Sequence, residues 1–215
     1  MMKGMEIGRF PVLLHLGDEA TVRPNARVMT EYGSSSTKEV NMIARLVIAL
    51  LVTATVAGAQ HPDDVFVGQK APELKGGDTW INTAPLKLEQ LRGKVVLIDF
   101  WAWDCPFCAE AMPHIKELYD KYAKDGLVII GVHTPRIEYE KDVGKVKEAV
   151  AKKGIKYPVV VDNKYQIWSD YLCNTWPSHF VLDQNGVIQF SHSGTGRYED
   201  TEAVVRKLLS KASGN

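Results

Sequence analysis

The sequence predicts an α/β fold built on a mixed β-sheet. Two apolar runs, KVVLIDFW (residues 94–101) and LVIIGV (residues 127–132), are short enough for strands buried on both faces. A helical pattern lies between them, and two strands joined through a helix form a parallel βαβ unit. Nearer the C-terminus, Asn185-Gly186 separates two further strand-like runs, which is a strong hairpin signal and predicts an antiparallel pair. The sheet should therefore contain both parallel and antiparallel pairs.

The remaining elements follow from local patterns of apolar residues. Pro and Gly mark residues 71–78 as a lead-in, and glycines at 126 and 154 are expected to end the first two helices. The predicted elements are a helix at about residues 106–124, a second helix around residues 143–150, a short strand at 159–161, hairpin strands at 178–182 and 187–191, and a closing helix around residues 204–209.

Composition excludes several classes of protein. The 215 residues are 45% hydrophobic and 24% charged, which argues against collagen, wholesale disorder and a multi-span membrane protein. With 26 basic and 26 acidic residues the formal net charge is zero, so we expect no nucleic-acid partner. Three cysteines are too few for a disulfide-built scaffold or a four-thiolate metal site, so any cysteine chemistry must come from their placement.

An apolar segment near the N-terminus is typical of a secretory signal. Residues 46–57 read LVIALLVTATVA, follow Arg45, and end in an A-x-A arrangement at Ala57 and Ala59. A helix of this length spans about 18 Å, well short of the ~30 Å hydrocarbon core of a bilayer. We expect a periplasmic or secreted protein, with an anchor as the alternative if the segment is not removed.

The same segment sets the expected domain boundaries. A signal peptide has a short basic start, which Met42 would supply. We therefore predict an over-extended, unstructured start at residues 1–41, a signal peptide at 42–59, and a single domain at 60–215.

The chemistry concentrates where the first core strand meets the first helix, at Cys105-Pro106-Phe107-Cys108. Two thiols three residues apart on the opening turn of a helix can close a disulfide. The first meets unpaired backbone N–H groups and the positive end of the helix dipole, which favour its thiolate. Such a thiolate attacks a substrate disulfide, and the second thiol resolves the mixed disulfide. This role requires Cys105 to be reachable from solvent and close enough to Cys108 to bond.

Other uses of the two cysteines fit less well. A zinc site needs further ligands, but the sequence has no second C-x-x-C and no H-x₃₋₅-H, so we expect no metal and no cofactor. A c-type haem needs His where Ala109 stands. A peroxidase on a related fold needs Thr or Ser and an upstream Pro where Ala102 and Ile98 stand. An alternative remains in which the two cysteines form a permanent disulfide in a non-catalytic binding or folding-assistance domain.

The stretch VLIDFWAWDCPFC (residues 96–108), followed by Pro113, resembles the active-site stretch of the thioredoxin superfamily. The resemblance implies a thioredoxin-like three-layer fold, with helices on both faces of the mixed sheet. It also implies that Cys105 attacks, that Cys108 resolves, and that Asp99 is the buried carboxylate that exchanges protons with the resolving thiol. Pro113 matches the proline that kinks the active-site helix.

Further motifs narrow the resemblance. GVHTP (131–135), YPVVVDN (157–163) and WPSHFVLDQNG (176–186) are similar to the TlpA-like redoxin domain of the DipZ type. Members of that group are extracytoplasmic thiol-disulfide oxidoreductases. Within the third motif, Trp176-Pro177-Ser178 matches the cis-proline loop, which lies against the C-x-x-C motif and hydrogen-bonds an extended substrate.

One position departs from many TlpA-like reductases of cytochrome c maturation. They carry Glu three residues after the second Cys, where Ala111 stands here, and the nearest acid is Glu110. One helical position turns the side chain by about 100°, so Glu110 is expected to point elsewhere and a cytochrome-maturation role does not transfer.

The residues around Asp99 also predict a functional role for it, independently of the resemblance. A lone carboxylate inside VVLIDF lies where a central strand buries both faces, and burying it without a cation is costly unless it serves a purpose. We predict proton transfer with Cys108, and a water-linked structural Asp is the alternative.

The substrates are expected to be protein thiols and disulfides. Phe107 should be exposed and touch the partner, and Trp176 and Pro177 should bind substrate. Trp103 and Trp101 would form an apolar rim for the substrate. The alternative is that they only pack in the core, which is as common for tryptophans near a strand end.

The residues beside the first thiol bear on the direction of electron flow. Phe107 cannot donate a hydrogen bond to the Cys105 thiolate, and Asp104 opposes its ionisation. Because strong oxidants stabilise their reduced thiolate, we expect a reductase or isomerase, monomeric and kept reduced by a membrane electron donor. The remaining candidates are expected to be structural: His133, His179, His192 and the half-buried thiol of Cys173.

Overall fold

A computed structural model describes residues 66–212. The predictions for residues 1–41 and 42–59 lie outside the described residues. Within residues 66–212, no helix is long and apolar enough to cross a bilayer.

Six strands form one mixed sheet in the described part of the chain. They are β1 (Thr79–Ile81), β2 (Val95–Trp101), β3 (Leu127–His133), β4 (Val159–Val161), β5 (Ser178–Leu182) and β6 (Ile188–Ser193). Their order across the sheet is β1-β4-β3-β2-β5-β6. β3 pairs in parallel with β2 and β4, whereas the β1–β4, β2–β5 and β5–β6 pairs are antiparallel. The predicted mixed sheet is therefore confirmed, with β2 at its centre.

Four α-helices accompany the strands of residues 66–212. They are α1 (Pro106–Tyr122), α2 (Val143–Lys152), α3 (Gln166–Asp170) and α4 (Tyr198–Ala212). Short 3₁₀ helices span Leu88–Leu91, Ala123–Asp125 and Glu138–Lys141. α1 begins with proline at its first turn and contains Pro113, and Gly126, with φ 105°, ends the 3₁₀ turn that follows it. Only glycine adopts that left-handed backbone without strain, so the predicted stop is confirmed.

Alternate residues of β2 face two separate cores. Leu97 and Trp101 pack with residues of α1, α2 and α4, whereas Ile98 and Phe100 pack with a residue of α3 and with segments that precede β2. Successive side chains of a strand point to opposite faces, so helices cover both sides of the sheet. We call the side covered by α1, α2 and α4 the α1 face. The predicted three-layer arrangement is confirmed.

Two short elements escaped prediction. β1 has three residues, TWI, and pairs with β4 at the sheet edge. It is only half-buried and lacks the continuous apolar run that predicts the equally short β4. α3 begins after Tyr165, whose φ is 59°, and its five residues are too few for a helical apolar period.

His133 ends β3 with its ring fully buried on the α1 face. It packs edge-on against Trp101, with the ring centroids 5.3 Å apart. Neither ring nitrogen has a hydrogen-bond partner. Because the imidazolium would lose its hydration in this place, burial lowers the pKa of His133 to about 4.

This shift makes a prediction for stability. The unfolded chain binds a proton on His133 below about pH 6.5, whereas the folded chain resists it down to about pH 4, so stability is full above that window and falls as pH decreases through it. Between pH 7 and pH 5, the native protein should lose about 2 kcal/mol more than a His133→Phe variant. Urea unfolding at both pH values measures the difference. Equal losses in the two proteins would contradict the assignment.

Candidate active site

The C-x-x-C motif lies at the junction of β2 and α1. Cys105 is the N-cap of α1 and forms a disulfide with Cys108, and their Cα atoms are 5.2 Å apart. The backbone N–H of Cys108 donates to Cys105 Sγ at 3.2 Å. In the reduced protein that donor would stabilise negative charge on Cys105. The requirement that the two thiols be close enough to bond is met.

Access to the Cys105 sulfur is narrow in this oxidised form. Cys105 exposes only 3% of its surface, whereas Asp104 and Pro106 are exposed and Phe107 exposes 59%. The sulfur therefore lies beneath a thin cover of exposed neighbours and is more shielded than the sequence predicts. A reacting thiolate must therefore reach the sulfur through this small exposed area or displace neighbouring side chains.

Asp99 occupies the middle of β2 and exposes 3% of its surface. Its flanking residues Leu97 and Trp101 both point to the α1 face, so the carboxylate lies on the same side of the sheet as Cys108. Its partner across β3 is Gly131. A Cβ at Gly131 would lie 3.0 Å from the Trp101 indole nitrogen, so a larger residue would crowd this ring, and glycine provides the space for it.

His179 is the neighbour of Asp99 that the sequence did not reveal. The antiparallel register of β2 and β5 pairs the two residues, and His179 Nε2 lies 3.3 Å from Asp99 Oδ1. Both side chains are almost completely buried. The distance suits an ion pair, although Nε2 is not aligned for a hydrogen bond. Asp99 therefore has an imidazole beside it, and the expectation that His179 is purely structural stays a prediction.

Tyr157 is a second group beside Asp99. Its side chain is fully buried, and its hydroxyl has no aligned hydrogen-bond partner. Burial, and then the nearby Asp99 carboxylate, raise the pKa of Tyr157 well above its usual value. The phenol therefore keeps its proton at neutral pH.

The three tryptophans near the motif differ in their burial. Trp101 is fully buried, so its assignment to the rim is wrong. Trp103 is half-buried and packs edge-on against Tyr139, with the centroids 5.5 Å apart. Trp176 is also half-buried, its indole N–H donates to the Thr134 carbonyl at 2.9 Å, and its peptide bond to the buried Pro177 is cis. The substrate-binding roles of Trp103, Trp176 and Pro177 stay predictions.

A loop after β3 holds the residue that precedes Cys105. The Arg136 guanidinium donates to the Asp104 carbonyl at 2.7 Å and pairs with the buried Glu140 at 2.9 Å. The Tyr139 hydroxyl donates to the Asp104 carboxylate. Asp104 is thus a partnered acid, with its carboxylate bound by Tyr139 and its carbonyl by Arg136. Nothing in the local sequence pattern reveals these contacts.

Two minor predictions can be compared with the structure. Glu110 is exposed and Ala111 is buried, so the expectation that Glu110 points away from the core is confirmed. Cys173 is half-buried, and burial raises the pKa of its thiol far above the usual value. It therefore stays protonated and inert at neutral pH. Among residues 66–212, no three His, Cys, Asp or Glu side chains converge as metal ligands do.

The geometry predicts which thiol of the reduced protein reacts first. Iodoacetamide at pH 7 should modify Cys105 at least ~10-fold faster than Cys108 or Cys173, because an N–H stabilises only the Cys105 thiolate and burial keeps Cys173 protonated. Peptide mass mapping against time measures the three rates. A Cys105→Ser variant is the control and should lose the fast phase. Equal labelling of Cys105 and Cys108 would contradict the assignment.

Comparisons with known proteins agree with this site. Residues 67–191 match the model of the AhpC/TSA family. Protein DipZ of Mycobacterium tuberculosis (strain CDC 1551 / Oshkosh) is 45% identical over 145 residues, which cover 66% of this chain and 21% of that protein. The thiol-disulfide oxidoreductase YkuV of Bacillus subtilis (strain 168) is 33% identical over 143 residues, which cover 66% of this chain and 96% of YkuV. This chain thus spans about a fifth of DipZ but almost all of YkuV.

A solved structure supports the same relationship. The solution structure of a thioredoxin-like protein in the oxidized form is 35% identical and superposes with a TM-score of 0.60, covering 66% of this chain and 96% of that one. The chain therefore belongs to the AhpC/TSA family and has a thioredoxin-like fold.

Proposed function

We propose that this protein is an extracytoplasmic thiol-disulfide oxidoreductase that reduces or isomerises disulfides of protein partners through Cys105 and Cys108. The observation that carries the proposal is the disulfide at the N-cap of α1, where a backbone N–H already contacts the sulfur of Cys105. As a helix cap the contact would also help a permanent disulfide, but it stabilises an attacking thiolate more strongly, because the acceptor is then charged.

The two thiols divide the reaction into two steps. The Cys105 thiolate attacks one sulfur of a substrate disulfide, the substrate S–S bond breaks, and the departing sulfur takes a proton from solvent. Asp99 then accepts the proton of Cys108. The Cys108 thiolate attacks Cys105 Sγ, the mixed disulfide breaks, and the second substrate sulfur leaves as a thiolate and takes a proton from solvent. The substrate gains two electrons and two protons, and the protein is left with the Cys105–Cys108 disulfide.

The surroundings of Cys105 support the reducing or intermediate direction. The Cys105 sulfur accepts a hydrogen bond from the Cys108 N–H, and the side chain of the neighbouring Phe107 has no donor to add to it. The Arg136 charge is directed at Glu140 and at a backbone carbonyl. The thiolate is therefore less stabilised than in a strong oxidant, whose dithiol form is favoured. A reductase must be recharged, and we propose a membrane electron donor for that step.

The surface around the motif suits a polypeptide substrate. Phe107, Ile137 and Tyr139 expose 59%, 46% and 52% of their surfaces. Tyr139 lies at the motif, because it donates to Asp104 and packs against Trp103, and exposed apolar side chains there suit contact with another protein. Trp103 and Trp176 lie half-buried nearby and would extend it. The extracytoplasmic location rests on the apolar segment at residues 46–57, which lies outside the described residues.

One observation favours a second candidate function. Cys105 exposes only 3% of its surface, as a permanent disulfide does. On that alternative the domain binds or assists other proteins without exchanging electrons.

Reduction of insulin disulfides by dithiothreitol separates the two functions. The native protein should accelerate precipitation of the insulin B chain, and Cys105→Ser should abolish the acceleration, because the attacking sulfur is gone. Cys173→Ser is the matched control and should keep full activity. A native protein that gives no acceleration would favour the non-catalytic alternative. With an active protein, Cys108→Ser should accumulate a mixed disulfide with its substrates, which identifies them by mass.

A further inference from the structure

A cleft between α1 and α4 leads from the protein surface to the buried base beside Asp99. Its volume is about 240 Å³, and His179 is part of its lining. Glu117 and Glu199, which also line it, are exposed and mark its outer end. The side chain of His179 therefore joins two regions, with Asp99 on one side and the cleft on the other.

We propose that His179 is a positioning and proton-relay residue, which carries the proton that Asp99 takes from Cys108 out to the water of this cleft. The inference rests on the proposed function, since it concerns the second step of disulfide reduction.

Asp99 needs such a route because it is buried among strands. With 3% of its surface exposed, it cannot release a proton directly into solvent. Its neighbour on β3, Gly131, has no side chain. Tyr157 keeps its phenolic proton at neutral pH, because burial and the Asp99 charge raise its pKa. His179 lies 3.3 Å from the carboxylate and reaches the cleft.

Imidazole chemistry suits this position. The ring has two nitrogens, so it can accept a proton on one and release a proton from the other. Nε2 faces Asp99 at 3.3 Å, a separation that a small movement of either side chain closes to the hydrogen bond that the transfer needs. The protons balance: Cys108 loses one to Asp99, Asp99 passes it to His179, His179 gives it to the cleft, and the departing substrate sulfur takes one from solvent.

Charged and titratable groups face His179 from each element around it. The charged and titratable groups are Asp99 of β2, His192 of β6, His114 and Glu117 of α1, and Tyr198, Glu199 and Glu202 of α4. The acidic side chains at the cleft stabilise positive charge there, which favours movement of a proton away from the buried end.

A single-turnover experiment separates the two chemical steps. Reduced protein is mixed with a disulfide-linked peptide, the reaction is quenched with acid, and the mixed disulfide is quantified by mass spectrometry. His179→Gln should slow decay of the mixed disulfide at least ~10-fold at pH 7, in line with the loss of a proton-transfer group. It should not slow formation of the mixed disulfide in a Cys108→Ser background, where the relay is not used.

The matched control is His192→Gln. His192 is the direct partner of His179 on β6 and is also buried, but it lies on the far side of His179 from β2. It should leave both steps at native rates. If the mixed disulfide of His179→Gln decays at the native rate, or if both variants slow its decay equally, the inference is overturned.

Two further measurements distinguish a relay from a packing role. Imidazole should restore decay in His179→Ala, because the deleted ring opens onto the cleft, and the pH profile should follow the added imidazole. In an Asp99→Asn background, which should itself slow decay, His179→Gln should add no further loss, since both residues act on one proton. Absence of imidazole rescue in a folded variant, or additive losses, would assign His179 a structural role. A native protein without exchange activity would instead reject the proposed function.

Discussion

The placement of one sulfur at the beginning of a helix is the constraint on which this molecule depends. β2 ends at Trp101, a short loop follows, and Cys105 caps α1. At a helix start the first backbone N–H groups have no partner within the helix, so the cap atom must satisfy one of them. Here that atom is Sγ, which makes the capping contact and the stabilisation of a thiolate the same interaction.

The sheet places a second set of groups behind that sulfur. His179 Nε2 lies 3.3 Å from the Asp99 carboxylate, and the buried Tyr157 phenol interacts with the same group. Two titratable side chains beside one buried carboxylate favour a functional interpretation of this part of the α1 face.

Patterns local in the chain made most of the fold predictable. The apolar run of β2, the helical spacing of α1 and the Asn185-Gly186 turn each specify their own element, and their order implies the sheet. β1 and α3 carry too few residues for a periodic pattern, so only pairing and packing with the rest of the domain define them.

The candidate site divides in the same way. Cys105 and Cys108 were predictable because the chemistry needs them close together in the sequence. His179 and Tyr157 were not, because they reach Asp99 through strand register and packing between distant parts of the chain. The signal that the sequence offers for His179 is a titratable residue within the buried strand SHFVL. The cover over Cys105 and the contacts of Arg136 and Tyr139 with Asp104 likewise depend on tertiary packing.

The reduction potential of the Cys105–Cys108 pair tests the central claim most directly. The protein is equilibrated with thiol-disulfide buffers of known potential, and the fraction of disulfide is measured by alkylation and mass. We expect a reversible two-electron transition between about −300 and −150 mV. A disulfide that persists below about −300 mV would contradict cycling and indicate a permanent staple. A midpoint near −120 mV would be that of a strong oxidant and would contradict the proposed direction.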